Sequence, residues 1–150
     1  MIIDFHAHTW SRDDAEEMMA REARRHGVDR ICISGLASWL PDLDEVKSLN
    51  DRVYKATRDY PDLYLPFVYL NPLHGRAAMD ELERGLDQGA VGIKLWISCW
   101  IDHPAVAPIL ERAIAITWSC CSTRGTRSPG TTPARATRCA SRTWPAGTRS

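Results

Sequence analysis

No stretch of the 150 residues approaches the roughly 18 consecutive apolar residues of a membrane-spanning helix, so no membrane partner is expected. The opening Met1-Ile2-Ile3-Asp4 has neither the basic segment nor the apolar core of a secretory signal, and a cytoplasmic location is expected. The cysteines Cys32, Cys99, Cys120, Cys121 and Cys139 are odd in number and contain no Cys-x-x-Cys pair. That spacing argues against a disulfide framework or a zinc ribbon. No Gly-rich turn follows the first strand-like segment, which counts against a nucleotide-binding doubly wound sheet. What is present is ordinary for a globular domain: 44% hydrophobic and 25% charged residues.

The sharpest absence is local. From Thr117 to Ser150 only Thr, Ser, Arg, Ala, Gly, Pro, Cys and Trp occur, and every acidic residue lies between Asp4 and Glu111. Residues 1–116 hold 13 basic against 19 acidic residues, a net of −6, whereas residues 117–150 hold six Arg and no acid. The formal charge of zero is the sum of these unlike parts. All eight residue types of the tail have G or C as the second base of their codons. A GC-rich gene read one register out of frame produces this alphabet, because its G- or C-rich third positions become second positions. The same arithmetic, run backwards over residues 117–123, permits five apolar residues followed by a histidine, which is the pattern of a buried strand ending in a functional group. The sequence thus divides into a domain at 1–116 and a low-complexity, frameshift-derived disordered tail at 117–150. The alternative is a natural basic tail whose arginines contact nucleic acid; that partner is not expected.

Within 1–116 a strand–helix unit repeats. Ile2–His6, Arg30–Ser34, Leu63–Leu70 and Ala90–Ile97 read as strands. Pro66 cannot donate to a ladder, so the third strand is expected to begin there. Ser11 with Asp14, Asp42 with Glu45, Asn71-Pro72 and Asp102-His103-Pro104 mark helix starts. Gly27 and Gly89 mark helix ends. Strand starts about 30 residues apart have the size of βα units. Such alternation implies an α/β fold with a parallel sheet. Four units make half of a TIM-like (βα)8 barrel, which needs roughly 250 residues.

The candidate chemistry lies at strand ends. His6-Ala7-His8 closes the first strand. Period-two geometry puts both imidazoles on one side with Asp4 below them. Two neutral imidazoles suit a divalent cation, with zinc the expected ion. On the fourth strand Gly92, Lys94 and Trp96 share the face that would line a barrel interior, and a lysine there must be paired or modified. Trp10, His74 and His103 follow the first, third and fourth strands and are candidates for substrate contact. Trp39 and Trp100 also follow strand ends and could wall a pocket. His26 reads as structural at a helix C-terminus, and Cys32 as core.

With Ile3-Asp4-Phe5-His6-Ala7-His8 and Gly92-Ile93-Lys94-Leu95 in hand, residues 1–116 resemble the amidohydrolase superfamily. More narrowly, they resemble the amidohydrolase-related group that includes the aminocarboxymuconate-semialdehyde decarboxylase relatives. The resemblance implies a distorted (βα)8 barrel that acts on a small-molecule substrate through a metal-activated water. It implies a divalent metal held by the His-x-His pair, by histidines on strands five and six and by an aspartate on strand eight. In some subgroups a carbamylated lysine on strand four bridges two metals, and Lys94 occupies that strand. No histidine follows His103 and no acid follows Glu111, so the implied ligand set is incomplete and the chain is expected to be inactive. Its open sheet edges are expected to self-associate. Histidinol-phosphatase-like phosphoesterases also open with His-x-His-Thr, but usually close their second strand with Asp-His. Here that position reads Ser34-Gly35-Leu36.

Overall fold

The computed structural model describes residues 1–122 except Ser11, Ala37 and Ile97. Its elements alternate: β1 (Ile3–His8), α1 (Ala15–His26), β2 (Arg30–Ser34), α2 (Leu43–Asp59), β3 (Tyr64–Leu70), α3 (Arg76–Asp87), β4 (Gly92–Leu95), α4 (Ala107–Ala115) and β5 (Ser119–Ser122). Single 3-10 turns at Pro72–His74 and Pro104–Val106 precede α3 and α4. The strands form one curled parallel sheet in the order β1-β2-β3-β4-β5. This is half of a TIM-like barrel, as the repeat implies.

The helices obey their local signals. Asp42 caps α2 by accepting from the Glu45 N–H at 2.8 Å, while the Glu45 carboxylate accepts from the backbone and hydroxyl of Ser38. Gly27 ends α1 in the left-handed region at φ 69°, which glycine adopts without steric penalty. Asp14 occupies the N-cap position of α1 without a side-chain bond, and the Ser11 expected there lies outside the described residues. The apolar faces of α1 and α2 pack on the outer face of β2 and β3 through Ala20, Val53, Ile31 and Ile33. Those of α3 and α4 pack on β3 and β4 through Leu82, Ile109, Val68 and Ile93. The interior face carries a smaller cluster of Cys32, Phe67 and Cys121.

Three features differ from the sequence expectations. First, β3 starts at Tyr64, ahead of Pro66. The strand pairs with β2 over Tyr64–Pro66 and with β4 over Phe67–Leu70. Pro66 sits where β3 changes partner, so its missing N–H interrupts no ladder. Where β2 has diverged, the buried Asn50 of α2 takes over as the pairing group. Its Oδ1 accepts from Tyr69 N–H at 2.8 Å and its Nδ2 donates to Tyr69 C=O at 2.9 Å. Nδ2 also donates to the buried Glu81 carboxylate, which Arg84 grips through two nitrogens.

Second, the sheet continues past residue 116. Ser119–Ser122 pairs with β4 in register, Gly92 opposite Ser119 and Lys94 opposite Cys121. Cysteine packs as a small apolar residue: Cys120 turns outward to the α3–α4 cluster and Cys121 inward. Residues 123–150, the rest of the stretch read as a disordered tail, lie outside the described residues.

Third, β1 does not alternate strictly. Its register against β2 shifts between Asp4 and Ala7, a bulge of the kind that re-aims side chains near sites. Phe5 packs edge-on against the interior Phe67, with ring centroids 5.2 Å apart. His6, its immediate neighbour, also reaches an interior side chain, Lys94. The Asp4 carboxylate accepts from the His6 N–H at 3.0 Å.

Candidate metal centre

The C-terminal ends of β1, β2, β4 and β5 bring together His6, His8, Ser34, Lys94, Trp96 and Cys121. His8 pairs in register with Ser34, and its Nδ1 lies 3.0 Å from Ser34 Oγ in a hydrogen bond. With Nδ1–H donated to the hydroxyl, Nε2 keeps its lone pair for a cation. The two imidazoles stand edge to face at 4.7 Å, and the Trp96 ring flanks His8 at 6.4 Å. Lys94 is 1% exposed. Its Nζ lies 2.9 Å from His6 Nε2, 3.7 Å from Cys121 Sγ and 5.7 Å from the Trp96 ring centre.

These neighbours set the protonation of the pair. Burial, then the Lys94 ammonium and His6, push His8 down to about 4. A hydrogen bond to the Ser34 backbone and the Asp4 carboxylate oppose this only in part. Burial and Lys94 also lower His6. Both rings are therefore neutral near pH 7, the state in which imidazole binds metal. The Lys94 ammonium already donates to the lone pair of His6 Nε2. A cation approaching that nitrogen has to displace it.

The donors fit a divalent cation only in part. Zinc and related ions take imidazole at ~2.0–2.1 Å, with three or four protein ligands. His6 and His8 are suitable in type and adjacent, yet among the described residues no group of three His, Cys, Asp or Glu is arranged to hold a metal ion.

The other candidates lie in the segments that follow the strands. His74 lies in the 3-10 turn after β3, with Nε2 3.2 Å from Asn71 Nδ2. His103 caps the turn after β4, its Nδ1 accepting from the Ala105 N–H at 3.1 Å. Trp10 and Trp39 are exposed and Trp100 is partly buried. Ser34 and Cys121 were not singled out by the sequence. Ser34 is the last residue of the second strand, the position where a partner for His8 was to be sought. Cys121 falls one 30-residue step beyond the fourth strand.

No family model and no curated protein matches the sequence. Solved structures do match in shape. A crystal structure of an amidohydrolase II superposes with a TM-score of 0.72 at 16% identity, over 89% of this chain and 53% of its own. The chain shares its fold with about half of that structure. A dihydroxybenzoic acid decarboxylase from Polaromonas, with bound manganese and the inhibitor 2-nitroresorcinol, gives 0.65 at 18% identity, over 85% of this chain and 50% of its own. A 4-oxalomesaconate hydratase from Rhodopseudomonas palustris gives 0.64 at 17%, over 83% and 52%. The chain thus spans about half the length of these structures. Among the described residues no helix is long and apolar enough to cross a membrane.

Proposed function

We propose that this chain is the first half of a metal-dependent, amidohydrolase-type enzyme, in which His6 and His8 supply two ligands and the missing half supplies the others. The observation that carries this is the convergence of two neutral imidazoles and a buried lysine at the C-terminal mouth of a parallel half-barrel. Active sites of such barrels are built at that mouth. A bound cation in such a site activates water and polarises a carbonyl or carboxylate. The parent reaction is hydrolysis of a C–N or C–O bond in a small molecule. The manganese-bound decarboxylase among the structural neighbours favours decarboxylation of a carboxylated substrate as the second reading. The ion, expected to be zinc, is equally open to manganese. Lys94, if carbamylated, would be a further ligand, and Trp10, His74 and His103, in the segments that follow β1, β3 and β4, are the proposed substrate contacts.

As written, the chain lacks a full donor set on its described residues and is expected to be catalytically silent. The frameshift supplies the reason. Reading on from residue 116 in the alternate register should restore a polypeptide that retains stoichiometric divalent metal by elemental analysis and turns over an amide, ester or aromatic carboxylate. Early stop codons in that register, or a restored chain that retains no metal, would remove the proposal.

Self-association follows from the same half-barrel. Ile3 and Phe5 on β1 are 42% and 38% exposed, and among the described residues β1 pairs with β2 alone. Apolar edge strands pair with further chains. Phe5→Lys should shift the chain toward monomer in light scattering; an unchanged mass would show that β1 is not the contact.

A further inference from the structure

Lys94 and Cys121 are register partners across the β4–β5 ladder. Partners in a ladder project to the same face of the sheet. Here that is the interior face, where Cys121 joins Cys32 and Phe67. Cys120, its chain neighbour, turns to the opposite face and the α3–α4 cluster. Lys94 Nζ donates to Cys121 Sγ at 3.7 Å and lies 2.9 Å from His6 Nε2. The two partners are 1% and 8% exposed. An amine and a thiol do not react with each other. Oxidation of the sulfur changes this, because sulfenic sulfur is open to attack by a nearby thiol or nitrogen.

We infer that Lys94 and Cys121 form an oxidation-dependent cross-link, a sulfenamide between Nζ and Sγ, with a peroxide as the oxidant. In the first step the Cys121 thiol takes one oxygen from hydrogen peroxide. The O–O bond breaks, the sulfur becomes a sulfenic acid and one water leaves. In the second step the Lys94 ammonium gives a proton to His6 Nε2, the nitrogen it already faces. The freed Nζ lone pair attacks sulfur, the N–S bond forms and the S–O bond breaks. The departing hydroxide takes a second proton from Nζ and leaves as water. Peroxide is reduced to two waters in all, and the chain loses two hydrogens.

The placement favours this product over the other fates of a sulfenic acid. Nζ already points at the sulfur, and its flexible stem lets it close on Sγ while β4 and β5 stay paired. Hydrogen peroxide is little larger than water, so a sulfur that is 8% exposed is within its reach. The cross-link also draws Nζ away from His6 Nε2. Only that consequence for a cation rests on the proposed metal site; the bond itself does not.

Hydrogen peroxide added to the full chain in the presence of chelator, followed by peptide mapping in a mass spectrometer, tests the cross-link. The expected product is about 2 Da lighter, with the peptides of β4 and β5 joined between Lys94 and Cys121 and released by dithiothreitol. Cys120→Ser should keep the joined peptides, which sets the product apart from a disulfide between neighbouring cysteines. Lys94→Met, with its fold checked by circular dichroism, should lose them and carry Cys121 as sulfinic acid, about 32 Da heavier. Dimedone, which captures sulfenic acids, should label Cys121 in the unaltered chain and lower the yield of joined peptides, so the test does not depend on that variant folding. Recovery of Cys121 from the unaltered chain as free thiol, as a disulfide to another cysteine or as sulfinic acid, with Lys94 unlinked, overturns the inference. Because chelator is present, failure of the metal site leaves this result intact, and the two readings fail separately.

Discussion

Asn50→Ala should lower the unfolding free energy by about 2–6 kcal/mol, measured by urea denaturation of the full chain. The amide bridges α2 to the backbone of Tyr69 and to Glu81 within the core. Its removal strands a buried N–H and a buried C=O, each worth roughly 1–3 kcal/mol when unmet. It also leaves the Glu81 carboxylate with Arg84 as its remaining named partner. Domains hold only about 5–15 kcal/mol in total, so the variant should be marginal. Asn50→Asp keeps the acceptor for the Tyr69 N–H but loses the donor and sets a second carboxylate against Glu81. It should be no more stable than the alanine variant. A change below about 0.5 kcal/mol, the scale of a neutral surface substitution, would show that the bridge is not a structural element.

Gly92→Ala should cost about 1–3 kcal/mol by overpacking. A methyl group at this position would lie 2.7 Å from the backbone oxygen of Ser119 and 2.9 Å from the Phe67 ring. The phenyl ring can turn aside, but the carbonyl belongs to the β4–β5 ladder. The substitution therefore pushes at the strand that carries Cys121 and loosens the floor beneath Lys94. A stability equal to the parent's would mean that β5 does not lie against β4 as described.

Much of this was legible in the sequence because it is governed by period and spacing. The 30-residue repeat gives the parallel half-barrel, and extended one step further it points to a strand near residue 120. Composition argued the other way, since Ser-Cys-Cys-Ser has none of the aliphatic residues that usually signal a strand. A partly buried Cys120 and a buried Cys121 nevertheless satisfy both faces. The histidine pair was legible for the same reason, but its geometry was not. The bulge in β1 depends on the register against β2, and no local pattern encodes it. The Asn50 bridge is equally invisible in sequence, because it arises where β3 exchanges one neighbour for another.

The measurement that bears most directly on the metal proposal is equilibrium binding of Mn2+ and Zn2+ to the full chain and to a His6→Ala/His8→Ala double variant, with folding of both verified by circular dichroism. Two imidazoles without a complete set should give weak, saturable binding at one site. The double variant, which leaves the α-helical layers untouched, should bind at least about tenfold more weakly, the lower end of what losing supporting groups costs a metal site. Equal affinity in the two chains would contradict the proposal that the mouth of β1 is built to hold a cation.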